Sequence, residues 1–244
     1  MLTGVLIGIL IGLAVFGPGG YLLARLTTKP AHPVATGSTT APGTARPANV
    51  SAPPDGWTTN GSAKVDSGTL VLTTATKEQT GTCVFGTPLI AKGLHAAFTI
   101  QISGGTGGDG LTFMLLDAAA ARPTALGAGG GGMGFAGLPG VAVVFTTYGQ
   151  PGDPSNNFVG VSAGGNGRNL KYLATTTNVP NLRSGTHAVQ VVVGADGQSL
   201  TVLVDQIQVL QAAAQLPANA YVGFSAGTGG QTDIHEISKT NFSY

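Results

Sequence analysis

The chain has 244 residues, only 9% of them charged, and a formal net charge of +1. Its 11 Lys and Arg form no run, which excludes a surface built to neutralise phosphates. Its 40 glycines have no three-residue period, which excludes collagen, and the single cysteine, Cys83, excludes an internal disulfide.

Residues 2–24 (LTGVLIGILIGLAVFGPGGYLLA) carry no charge. About 20 apolar residues cross a bilayer core, so the segment is long enough to span one. A cleaved signal peptide would show a basic start and a small-x-small site after a shorter apolar core. Neither is clear here, so residues 1–26 are read as a transmembrane anchor, with secretion the outcome if the segment is cleaved. Gly4, Gly8 and Gly12 lie four apart on one helix face, a spacing that lets two helices pair; the other reading is that glycine is simply common in this chain. Gly17-Pro18-Gly19-Gly20 should kink or interrupt the helix. Arg25 and Lys29 follow the span, a weak positive-inside vote for a cytoplasmic C-terminal side. Against it stands the Pro/Thr/Ser-rich stretch 27–54, a semi-extended spacer of the kind that holds a domain away from a membrane. The domain is therefore expected outside the cell.

Residues 55–244 read as the folded domain. In AAFTIQIS, Phe98, Ile100 and Ile102 share one face, with Thr99, Gln101 and Ser103 opposite. Val189, Val191 and Val193 alternate in the same way, as do Leu200, Val202 and Val204. Between these two runs Asp196-Gly197 predicts a tight hairpin. The segment LDAAAARPTALG is short and broken by Pro123, and no long stretch holds a 3.6-residue period. Many short strands with one buried face predict an all-β fold of two packed antiparallel sheets, a β-sandwich. Cys83 sits in an apolar strand-like run and reads as a small buried hydrophobe.

The sequence does not predict an enzyme. A glycosidase needs two carboxylates flanking the scissile bond, and the domain has no Glu-x-Asp or Glu-x-x-x-Glu pair. Asp233 and Glu236 lie three apart, on opposite faces of a strand. His32, His95, His187 and His235 are isolated, without zinc spacing.

Four stretches in order resemble the L-type, legume-like (concanavalin A-like) lectins, most nearly their bacterial members. GGDGLTFMLL (107–116) is similar to the Ala-Asp-Gly-x-Ala-Phe strand entry. LGAGGGGMGFAGLPGVAVVF (126–145) resembles the Gly-rich loop and the Val-Ala-Val-Glu-Phe strand after it. FTTYGQPGDPSNNFVGV (145–161) has the outline of the metal loop, and AYVGFSAGTGGQTDIHEIS (220–238) that of the Val-Gly-Phe-Ser-Ala segment. The similarity spans nearly all of 55–244 and implies a jelly-roll sandwich that binds carbohydrate. By resemblance Asp109 accepts hydrogen bonds from sugar hydroxyls, where read alone it is a turn residue. Gly131 donates a backbone N–H, with Gly130 and Gly132 its neighbours in the match. Gly229, Gly230 and Gln231 tune specificity, and Gln150 stands where the family's Asn also touches sugar. A non-proline cis peptide is implied at Gly108–Asp109.

The resemblance also implies a calcium beside a transition metal, and here the chain departs from the pattern. Val144 stands at the Glu position, Thr146 at the first Asp position and Phe158 at the His position. Tyr148 and Asp153 are kept, and Gln150 replaces an Asn. Manganese is therefore not expected. Calcium prefers six to eight oxygens and gains affinity from carboxylate charge. Thr146, the Tyr148 carbonyl, Gln150 and Asp153 allow a weak calcium site; the equal alternative is a metal-free loop held by Pro151, Pro154, Asn156 and Asn157. The sequence thus predicts a membrane-anchored glycan-binding protein at the cell surface. The alternative is a degenerate lectin sandwich that acts as a protein-interaction or structural module.

Overall fold

The computed structural model describes residues 50–165 and 167–243. The expected span at 2–24, its glycine face and most of the spacer lie outside the described residues. Among the described residues, no helix is long and apolar enough to cross a membrane.

The first strands in chain order are β1 (Trp57–Gly61), β2 (Lys64–Asp66), β3 (Thr69–Thr73), β4 (Thr80–Phe85), β5 (Leu89–Ile90), β6 (His95–Ser103) and β7 (Gly110–Asp117). After a 3-10 turn at Gly130–Gly132 come β8 (Gly140–Thr146), β9 (Phe158–Ser162), β10 (Tyr172–Thr176) and β11 (Thr186–Val193). The last four are β12 (Ser199–Val204), β13 (Ile207–Ala213), β14 (Asn219–Gly227) and β15 (Ile234–Ser243). One sheet has the order β1-β4-β14-β7-β8-β9-β10, with β5 beside β14; the other runs β13-β12-β11-β6-β15-β3-β2. Every pairing is antiparallel. This is the sandwich that the alternation predicts.

The alternating residues form its core. Phe98, Ile100, Ile102, Val189, Val191, Val193, Leu200, Val202 and Val204 are all buried. In β6 the intervening Thr99, Gln101 and Ser103 stay half-exposed, so the period of two reports the core face directly. Phe98, Phe113, Phe224 and Phe242 meet ring to ring across the sheets, and Trp57 stacks on Phe224 at 5.5 to 6.0 Å from its aromatic neighbours. Cys83 is fully buried, and burial pushes its thiol up to about 12, consistent with a packing role.

The hairpin at Asp196-Gly197 forms as expected. Asp196 Oδ1 accepts from the Gln198 N–H and the Ser199 hydroxyl, and Gly197 takes φ +71. Ahead of β1, Val50 is buried and bridges to Phe242, so ordered pairing begins before residue 55.

Candidate functional site

Strand ends decide which loops meet. Asp109 immediately precedes β7, and Gly110 pairs with both Gly227 of β14 and Thr146 of β8. The loops after β14 and β8 therefore converge on Asp109. Its N–H donates to the Gly227 carbonyl at 3.0 Å, and its carbonyl accepts from the N–H groups of Thr147 and Tyr148. The Gly108–Asp109 peptide is cis, as the resemblance implies.

The side chain is more enclosed than a shallow surface site suggests. Asp109 is only 4% exposed. Its Oδ1 accepts from Gln150 Nε2 at 3.2 Å, whereas Oδ2 is buried with no partner. Burial raises the carboxyl to about 6; the Gly229 N–H pulls the other way, and the nearby Glu78 adds to the rise.

Two glycines make this packing possible by close approach. A Cβ on Gly229 would stand 3.2 Å from Asp109 Oδ2, and one on Gly131 would stand 2.8 Å from the Gln150 amide carbon. A Cβ on Gly130 would stand 4.0 Å from the same carboxylate oxygen. The 3-10 turn is fixed from below by the Ser225 hydroxyl, which donates to the Met133 carbonyl.

The structure brings Asp109, Gly131 and Gln150 together. Gly132 is buried and faces Ala128 and Ala136, away from the carboxylate. Gly230 is open on the surface, and Gln231 is exposed with its Cβ against Gly108.

Sequence reasoning missed one wall of the site, the β3–β4 loop. Gln79 and Thr228 exchange bonds of 2.9 Å each, and the Glu78 N–H donates to the Gly229 carbonyl. Glu78, Thr80, the glycine turn, Arg168, Asn169 and Thr228 line an open groove of about 470 Å3, and Gly130 is the wall residue that backs onto Asp109. A positive φ at Glu78 places that carboxylate near the site, and nothing in the local sequence signals it.

Loop 147–157 is closed by its own side chains. Asp153 Oδ2 accepts from the Gln150 N–H at 2.8 Å, Asn156 Oδ1 from the Gly149 N–H, and Ser155 Oγ from the Asn157 N–H. Asn157 ties the loop to the Pro180 carbonyl and the Leu182 N–H. Tyr148 is 40% exposed, while Thr146 is buried with an unpartnered hydroxyl.

The residues present do not fit the metal pair that the resemblance implies. Val144 packs in an apolar cluster with Met114, Met133 and Phe135. Phe158 is fully buried and meets Tyr172 edge to face at 5.2 Å. No cluster of three or more His, Cys, Asp or Glu lies among the described residues. The loop offers one carboxylate, already engaged by a backbone donor.

The two-sheet antiparallel sandwich thus carries a polar, loop-built groove at the end of its strands. A model of the legume-like lectin family matches residues 37–243, and the chain belongs to that family. Solved lectins share its architecture. Basic winged bean lectin with Tn-antigen superposes with a TM-score of 0.66 at 20% identity, covering 80% of this chain and 94% of that one. Metal-free lectin I-B4 from Griffonia simplicifolia gives 0.64 at 22% identity, covering 78% and 93%. The exoplasmic/lumenal domain of VIP36, in its Ca2+/Man-bound form, gives 0.63 at 21%, covering 77% and 82%. Among curated protein sequences, none matches significantly.

Proposed function

We propose that this chain binds carbohydrate through Asp109 and the loops that meet on it. The observation that carries the reading is the buried Asp109 Oδ2, a carboxylate oxygen left without a donor beside a polar groove. A buried acceptor without a partner is costly, and a charged one more so. A sugar hydroxyl is a donor of the right size. It reaches Oδ2 if the glycine turn parts from loop 228–231, and the residues facing each other there, Gly130 and Gly229, carry no side chains to repack. Gly131 then offers its N–H, with Gln150 and Gln231 as polar helpers and Gly230 leaving room at the rim. Family membership and the sugar-bound forms among the structural neighbours support the reading.

In this proposal the domain is held at the outer cell surface by residues 2–24, with Gly4, Gly8 and Gly12 pairing the anchors. Cleavage of that segment would release it instead. Single sites in shallow lectin grooves are weak, and several copies on one surface compensate. Protease treatment of intact cells tests the topology: an inward-facing domain would survive it.

The test of binding is a glycan array probed with the full-length chain, clustered by an antibody against a tag, beside Asp109→Ala. Signal on a defined glycan class that the variant loses supports the proposal. A folded wild-type chain that binds no glycan would leave the protein-interaction module as the better account.

A further inference from the structure

The structure assigns the positioning of Asp109 to a clamp made only of protein, Arg183 on Asp233, so that ligand binding requires no divalent cation. This inference rests on the carbohydrate-binding reading for its ligand, but the clamp itself is visible without one. Asp233 is fully buried, immediately before β15. Its Oδ1 accepts from the Gly105 N–H at 3.2 Å and its Oδ2 from the Gly108 N–H at 3.0 Å. Those two amides belong to the loop that ends on Asp109. On the other side Arg183 grips the same carboxylate with both prongs, Nε to Oδ2 at 3.0 Å and Nη2 to Oδ1 at 2.9 Å. Nη2 also donates to the Gly105 carbonyl. The Gly107 N–H adds a bond to the Thr232 carbonyl.

One buried carboxylate thus holds both ends of the Gly105–Gly108 turn, and a planar guanidinium neutralises it in bidentate geometry. The loop where the family's metal would sit does its own work elsewhere. It fixes Asp109 from the far side through the Thr147 and Tyr148 N–H groups and closes on Asp153 and Asn156. Phe158 and Tyr172 fill the space beside it. At Asp153, Gln150 and Phe158 a hydrogen bond or a packed ring stands where a cation's ligands would act, while the buried Thr146 hydroxyl is left without a partner.

The test uses the full-length chain in mild detergent, with EDTA, with calcium alone and with manganese alone. Melting temperature and hydrogen exchange of the peptide spanning 104–110 are expected to be the same in all three, and so is array binding. In Arg183→Gln and Asp233→Asn, exchange in that peptide should rise about tenfold while β14 stays protected, the signature of local opening. Arg183→Lys keeps the charge without the fork and should restore the protection only in part. A cation that raises the melting temperature by several degrees or switches glycan binding on would overturn the inference. So would exchange in 104–110 that ignores Arg183→Gln. If no glycan binds in any condition while the exchange results hold, the carbohydrate reading fails and the clamp stands.

Discussion

Replacing Asp109 with asparagine should make the protein more stable and stop it binding sugar. The folded carboxyl titrates near 6 against 3.8 for the free group, a rise of about two units caused mainly by burial. The unfolded chain therefore ionises first. Between those two values folding takes up a proton, and above pH 6 the native state carries the full penalty of a buried, poorly partnered charge. At about 1.4 kcal/mol per unit, the penalty is about 3 kcal/mol. Asparagine keeps the shape. Its nitrogen can donate to the Gln150 oxygen once that amide turns, and its oxygen carries no charge to desolvate. A gain of about 3 kcal/mol corresponds to a rise of about 6–12 °C in melting temperature for a domain of this size. Calorimetry at pH 8 should show the gain, and at pH 3.8 it should vanish. An Asp109→Asn protein that melts at or below wild type at pH 8 would refute the argument that this carboxylate is buried against its preference.

His235 supplies the opposite slope. It is fully buried, and burial lowers it to about 4, the Arg183 charge adding to the fall and Asp233 resisting it. Its contribution is intact above pH 6.5 and lost as pH falls towards 4, about 3 kcal/mol in all. Because Asp109 acts in the reverse sense over nearly the same window, wild-type stability should be nearly level from pH 6 to 4. Asp109→Asn should instead lose stability steadily on acidification, and an equally steep wild type would contradict the assignment. Gly131→Ala should push the Gln150 amide aside at a stability cost below about 1 kcal/mol, while array binding weakens about tenfold or more; unchanged binding would place the sugar elsewhere. Phe158→Ala should destabilise by about 3–5 kcal/mol, and added calcium should not recover it in a chemical melt.

The sequence displays faces more clearly than partners. Alternation at Phe98–Ile102 and Val189–Val193 reports which side of a strand is buried, because the side-chain period is two. It does not say that Arg183 will reach Asp233, 50 residues away, or that Gln79 will bond Thr228, 149 residues away. Those pairings depend on strand order, which alternation leaves open. Asp109, Gly131 and Gln150 were legible only through the likeness of whole stretches to lectins, since each alone is an ordinary turn residue. The burial of Asp109 was not legible at all. It follows from glycines on two distant loops closing over one carboxylate. His235 likewise looked isolated in sequence. In the fold the Thr73 hydroxyl lies 2.7 Å from His235 Nδ1 and 3.1 Å from the Asp233 carbonyl, bridging the two.

The bridge between Val50 and Phe242 has a mechanical consequence. Ser243 pairs with His95 at one end of β6, and Ile234 pairs with Ser103 at the other. The chain therefore enters the domain at the His95 end, while Asp109 and its loops crown the Ser103 end. At about 3.3 Å per residue the nine-residue β6 separates those ends by about 26 Å. A domain tethered through Val50 presents its groove at the pole farthest from the tether. Were the domain anchored as proposed, a pull between ligand and anchor would run along β6 and β15, whose row of hydrogen bonds would share it as shear. The entering segment is fastened there by the Val50–Phe242 bridge and by Trp57 Nε1, which donates to the Ser51 carbonyl at 2.9 Å.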